Sequence, residues 1–245
     1  MTEFFNELFH SYSSFFSIEM FEKVVTDPAS WGIIGSLIIL EGLLSADNAL
    51  VLAVLVKHLP QRQQKKALFY GIIGAYIFRF LAIGLGVFLI EITWIKVLGG
   101  LYLLYLAYSH FRNKEEDKDI EPKQMGFWRT VLTVELMDIA FSIDSVIAAF
   151  GVSDQIWVLL LGGMLGVLMM RGVAQLFLAL IERIPEFEAT AFILIGVIGI
   201  KMIAASFGFH VEEIIFFSIL IAIFAGTFFI HVLKKKRTKE SEAGK

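Results

Sequence analysis

Two short stretches carry oxygen donors into sequence that is otherwise apolar. One is Glu41-Gly-Leu-Leu-Ser45-Ala-Asp47-Asn48, inside the apolar run from Trp31 to Val56. The other is Glu135-Leu-Met-Asp138-Ile-Ala-Phe-Ser142-Ile-Asp144-Ser145. Both read acid-x3-Ser-x-Asp-Asn/Ser. On a continuous helix Glu41, Ser45 and Asn48 share a face, and so do Asp138, Ser142 and Ser145. Asp47 and Asp144 then point about 120° away. Either they meet a neighbouring helix, where Arg79 or Arg171 pairs with them, or the helix breaks near the serine and frees carbonyls as further ligands. Carboxylate, hydroxyl and amide oxygens are hard donors that suit Mg²⁺, Ca²⁺ or Mn²⁺. Zinc and copper normally take His or Cys. Cysteine is absent, and the five histidines (His10, His58, His110, His210, His231) fall at or outside the ends of the apolar segments. No H-E-x-x-H or G-x-S-x-G motif is present, so the chain does not read as an enzyme, and nothing in it suggests an organic cofactor or nucleic-acid binding.

An acid near the middle of such a run costs at least about 2.5–3.5 kcal/mol if the run crosses a bilayer. The composition says that it does. Of 245 residues, 57% are hydrophobic and 24 are Phe. We therefore expect an all-α, polytopic membrane bundle of seven transmembrane helices, near 31–57, 67–90, 94–111, 128–151, 156–181, 189–208 and 213–233. Five acids (Glu41, Asp47, Glu135, Asp138, Asp144) and three bases (Arg79, Arg171, Lys201) fall well inside these segments, away from their ends. If all are ionised, the remainder of −2 matches one divalent cation.

The motif is part of a larger repeat. Gly71-x2-Gly74-x4-Arg79 in the second segment matches Gly163-x2-Gly166-x4-Arg171 in the fifth, and Gly99 and Gly196 align the third and sixth. This divides the chain into repeat A (29–111), a charged linker expected to be flexible (112–127), repeat B (128–209), one extra helix (210–233) and a basic tail (234–245). Residues 1–28 precede them. There Phe4, Phe5, Leu8, Phe9, Tyr12, Phe15 and Phe16 recur at helical spacing, which fits an amphipathic helix on the membrane surface or on the bundle edge. Asp27-Pro28 reads as a helix stop and restart. Lys and Arg concentrate in the first and third loops and the tail, which places the N-terminus outside and the C-terminus in the cytoplasm of a cell-membrane protein. Repeats A and B then enter from opposite sides, the inverted topology common in secondary transporters. No basic n-region of a cleavable signal peptide is expected.

Each charged residue has a bland and a sharp reading. The acids are ligands, or structural partners of Arg79 and Arg171. Glu135, whose counterpart in repeat A is Ile38, breaks the repeat and reads as a site or access-path acid. Ser45, Ser142 and Ser145 are ligands or interhelical hydrogen-bonding groups. Arg79 and Arg171 are counter-charges, and Lys201 is a counter-charge or a plain ion-pair partner. Met137 and Met202 are packing residues rather than thioether ligands.

Through Leu40-Glu41 to Ala53 and Glu135 to Ser145-Val, the sequence resembles the TerC family of integral membrane proteins. The likeness covers about Trp31 to the last apolar segment. The family lies near the lysine-exporter superfamily, with three-helix inverted repeats, and its members are implicated in manganese export and in metal supply to proteins outside the cytoplasm. The resemblance implies Mn²⁺ as the transported ion, ahead of Ca²⁺ or Mg²⁺, with Glu41, Asp47, Asn48, Asp138 and Asp144 at the family's motif positions. The competing expectation is a membrane scaffold that recruits partners such as secretion machinery or secreted metalloproteins.

Overall fold

A computed structural model of the chain describes residues 12–13, 15–85, 93–116, 125–184, 186–209 and 212–243. Phe4, Phe5, Leu8 and Phe9, on which the surface-helix reading partly rests, lie outside them. Among the described residues the structure is helical and contains no strand.

Helix α1 (Ile18–Thr26) starts at Ser17, whose hydroxyl accepts a hydrogen bond from the Met20 N–H. Asp27 then ends α1 and begins α2 (Pro28–Lys57). Its N–H donates to the Lys23 carbonyl, and its carboxylate accepts from the N–H groups of Ala29 and Ser30, both at 3.1 Å. Pro28 follows at the first helical position, where its missing N–H costs nothing. The chain bends by 85° at this junction. On α1, Ile18, Met20, Phe21 and Val25 are exposed and only Val24 is buried. Just ahead of it, Phe15 packs on Phe80 with ring centroids 4.6 Å apart, and the Tyr12 hydroxyl donates to the Leu81 carbonyl at 3.1 Å. The N-terminal segment thus rests on the bundle edge and still presents apolar side chains outward.

Six further helices follow: α3 (Gln61–Leu85), α4 (Thr93–Glu116), α5 (Phe127–Phe150), α6 (Ile156–Arg183), α7 (Glu186–Ser206) and α8 (Glu213–Ala243). Each of the seven expected apolar segments coincides with one of α2–α8. Two ends differ. Helix α4 runs through the start of the charged linker to Glu116, and α8 continues through the basic tail to Ala243. Helices α3, α6, α7 and α8 are long and apolar enough to cross a membrane, and α1 with the first half of α2 makes a fifth if that bent pair is one span. Helix α5 falls outside that count because Glu135, Asp138 and Asp144 crowd into one span's length.

The longest interface joins α2 to α6, followed by α4 with α7 and α3 with α5. Leu37 and Glu41 of α2 face Gly162 and Gly166 of α6, so these two run parallel. Helices α3 and α6 run antiparallel, since Arg79 faces Gly163 while Gly71 faces Arg171. Helices α4 and α7 are also antiparallel: Gly99 meets Met202, and Gly196 meets Ala107. Lipid supplies no hydrophobic drive between helices, so close backbone approach does the work of holding them. Gly100 and Gly199 illustrate it, because a Cβ on either would lie 2.8 Å from the carbonyl oxygen of the other. Residues Ala49–Val56 of α2 are buried without interruption, which makes α2 the central helix. Helix α8 leans on α7 through a 2.9 Å Thr190–Thr227 hydroxyl pair and leaves Ile214, Ile221, Phe228 and Phe229 exposed.

Candidate functional site

Both motif helices are continuous across their serines, α2 from Pro28 to Lys57 and α5 from Phe127 to Phe150. The geometry of an unbroken helix therefore holds. Glu41 and Ser45 share a face, and the Ser45 hydroxyl donates to Glu41 Oε1 at 3.1 Å. Arg79 of α3 pairs with the same oxygen, and its Nη2 also reaches Ser145 Oγ of α5 at 3.3 Å. In the second copy Arg171 of α6 pairs with Asp138 Oδ2. The parallel is incomplete. Ser145 Oγ turns back to the Ser142 carbonyl at 3.1 Å, and Asp138 Oδ1 is buried with no hydrogen-bond partner among the described residues. Aspartate is one methylene shorter than glutamate, so the serine-to-acid bond of the first copy is not reproduced.

The arginines pair with the first acid of each motif and not with the second. Asp47 Oδ1 accepts from the N–H of Asn48, which is itself buried, and Oδ2 takes Lys201 of α7 at 3.3 Å. Lys201 also stands over the Phe216 ring of α8, 4.2 Å from its centroid. Asp144 pairs with Lys96 of α4. Asp47 and Asp144 thus face neighbouring helices, as an unbroken helix requires, and meet lysines there. Each second acid is held by a lysine from the third helix of the other half.

Lys96 did not stand out in the sequence. It is the fourth residue of α4, beside Trp94, where a lysine reads as an interfacial anchor. The signal that finds it is its symmetry with Lys201, visible only once the pairings are known. It changes the charge count. Five acids now stand against four bases, so the remainder is −1, and the numerical match to one divalent cation is lost. Glu135 is the acid left over. It is half-buried against Gly74, within electrostatic reach of Asp138 and Arg171, and has no ion pair among the described residues.

Two groups emerge. Asp138 lies within electrostatic reach of Arg171, Arg79 and Glu41, so Glu41, Glu135, Asp138, Arg79, Arg171, Ser45 and Ser145 form one buried centre between α2, α3, α5 and α6. Asp47 with Lys201, and Asp144 with Lys96, flank it. Among the described residues no three Asp, Glu, His or Cys converge closely enough to hold a metal ion. Met137 is buried in the core, and the Met202 tip fills the space over Gly99. His58 binds Thr130 Oγ1 at 3.0 Å, His110 stacks on Phe192 and His231 pairs with Glu186.

The profile of the Integral membrane protein TerC family matches residues 26–241, a stretch that contains both motifs and every ion pair described above. The chain belongs to this family. It is 56% identical over 251 residues to the membrane protein YceF of Bacillus subtilis, with 98% of each chain covered. It is 43% identical over 186 residues to YkoY of the same organism, covering 68% of this chain and 57% of that one. It is 30% identical over 207 residues to the thylakoid membrane protein TERC of Arabidopsis thaliana, covering 71% and 54%. No solved structure matches. The TerC assignment and the apolar helices make this an integral, multi-pass membrane protein. In this TerC chain Glu41, Asp47 and Asp138 are buried acids paired with bases from the same chain, and Asp144 is an exposed acid paired likewise.

Proposed function

We propose that this TerC protein is a secondary-type transporter that exports a divalent metal ion, Mn²⁺ first, through the acidic centre between α2 and α5. The observation that carries the reading is Asp138 Oδ1, a buried carboxylate oxygen without a partner among the described residues, beside a second buried acid. A buried acceptor left unpaired costs about 1–3 kcal/mol, and more when it is charged, so it marks a place where a ligand is worth binding. Glu41, Asp47, Asn48, Asp138 and Asp144 supply the donors, with Ser45, Ser142, Ser145 and Glu135 beside them or along the path. The donor set is all oxygen, which suits Mn²⁺, Ca²⁺ and Mg²⁺ alike. The preference for Mn²⁺ rests on the family resemblance.

Seven spans in an inverted repeat agree with the helix directions. Helices α3 and α6 run antiparallel, as do α4 and α7, which supports opposite directions for these two counterpart pairs. The basic loops put the N-terminus outside and the C-terminus in the cytoplasm. In this structure arginine and lysine hold Glu41, Asp47, Asp138 and Asp144. Binding the cation requires acids to leave their bases, and the bases to stabilise the empty site on the return.

The test is flux into proteoliposomes holding the purified chain. The reading expects Mn²⁺ uptake, lowered at least about tenfold by Asp138→Asn in protein that still folds, the loss of about 1.4 kcal/mol or more of cation interaction. No flux by the parent chain, together with a stable complex with secretion proteins, refutes it in favour of the scaffold.

A further inference from the structure

The four ion pairs are not equivalent. Arg79 and Arg171 are 2% and 1% exposed. Each lies against a glycine of the opposite helix, 2.6 Å from the Cβ position of Gly163 and 2.8 Å from that of Gly71. A planar guanidinium wedged in this way has nowhere to go. Lysine is a point charge on a flexible four-carbon stem. Of the two lysines, Lys201 is held twice, by Asp47 and by the Phe216 ring. Lys96 is held by Asp144, whose side chain is 62% exposed, while Lys96 itself is only 15% exposed. Its position is fixed by the backbone. Gly99, one turn along α4, lets that helix close on Ala140, one turn before Asp144, with 3.3 Å between the Ala140 Cβ and a Cβ at Gly99. Lys96 is thereby aimed at a carboxylate that is open on its other side.

We propose that Lys96 is a built-in competitor for Asp144: its ammonium occupies the carboxylate when no cation is bound, and an arriving divalent cation displaces it. The proposal rests on the transporter reading and adds to it a residue outside both motifs. It also gives the exchange an order. Asp144 gives up its lysine before Asp47 does, because it is the more open acid and its base has one anchor instead of two. The arginine pairs stay closed throughout this step.

The experiment uses the full chain in nanodiscs and reads Lys96 directly. An amine-acetylating reagent is applied with and without saturating MnCl2, and acetylation at each lysine is quantified by mass spectrometry. Bound Mn²⁺ is followed in the same samples by loss of the aqueous-ion paramagnetic resonance signal. Lys96 acetylation is expected to be low without metal, to rise about threefold or more with Mn²⁺, and to be raised without metal by Asp144→Asn. The rise at Lys201 is expected to be smaller. Lys96→Gln is expected to bind Mn²⁺ about two- to fivefold more tightly, since the ammonium that competes for Asp144 is gone. If the parent chain binds Mn²⁺ while Lys96 acetylation stays flat and Lys96→Gln binds no more tightly, the competitor role is overturned and the transporter reading stands. If the parent chain binds no Mn²⁺, both fall. If Asp144→Asn leaves Lys96 protected, the pair itself is overturned whatever the metal does.

Discussion

Asp138 and Arg171 form the most buried ion pair among the described residues, and its rupture should separate folding from function. Both side chains are 2% exposed. Among the described residues Asp138 Oδ1, Arg171 Nε and Arg171 Nη1 already lack partners, so neither side chain has a second group there to fall back on. Arg171→Met strands a buried carboxylate, and Asp138→Asn strands a buried guanidinium. Breaking a buried pair from one side costs about 3–5 kcal/mol. Independent effects would make the double variant worse by about 6–10 kcal/mol, the sum of the two. Removing both charges instead leaves a neutral amide beside a thioether, which is close to neutral for a buried pair. The double variant should therefore lie within about 2 kcal/mol of the parent, a coupling of at least about 4 kcal/mol. Unfolding in mixed detergent micelles, followed through the four tryptophans, measures the cycle. Flux in proteoliposomes then tests the site. If Asp138 is a ligand, the double variant regains stability and still fails to move Mn²⁺. Additive destabilisation would refute the pairing. Full flux in the stable double variant would refute the ligand role and leave Asp138 a structural residue.

Other perturbations test the frame around that pair. Gly71→Ala and Gly163→Ala press a methyl onto Arg171 and Arg79 and should each cost about 1–3 kcal/mol, whereas Gly32→Ala and Gly35→Ala meet nothing within 4 Å and serve as neutral controls in the same melting assay. Thr227→Val removes the hydroxyl contact to Thr190 and should weaken the hold of α8 by about 0.6 kcal/mol, seen as faster amide exchange along α8. The Asp27 carboxylate is held below its ordinary value of 3.8, chiefly by the Ser30 hydroxyl and next by the Ala29 N–H. The cap is therefore complete above pH 3.8 and is lost as the pH falls further, through the lowered value. Amide protection at Ala29 and Ser30 should vanish in that acid range, and Asp27→Ala should abolish it at every pH.

Helix positions were legible because apolar runs of about 20 residues admit few other readings. The Asp27-Pro28 junction was legible because an N-cap followed by proline has one structural meaning. The pairing of acids with bases was legible only in part. Spacing put Asp47 and Asp144 off the face of Glu41 and Asp138 and left a neighbouring helix or a broken one for them, and sequence order does not say which helix arrives there. The strong arginines, repeated in register, drew attention as their partners. The lysines that do pair with them are out of register: Lys96 lies four residues before Gly100 and Lys201 two residues after Gly199, the point where α4 and α7 touch. A repeat search sees equal spacing, whereas these two side chains arrive at equivalent acids from unequal positions, which long flexible stems permit.

The repeated Gly-x7-Arg spacing has a simple mechanical reading that neither copy reveals alone. Gly71 and Arg79 sit eight residues apart on α3, as Gly163 and Arg171 do on α6. Because the helices are antiparallel, an equal offset on both brings each arginine opposite the other's glycine. The glycines are thus more than a smooth packing surface: each is the slot for a guanidinium that belongs to the other half of the chain. A side chain at either slot displaces an arginine, and the displaced arginine leaves a buried acid without its base, Glu41 for Gly163 and Asp138 for Gly71. The acids, arginines and glycines therefore form one unit spread over four helices and both halves. Each arginine neutralises an acid of its own half but is seated against a glycine of the other, so the two halves must pack against each other before either guanidinium is seated.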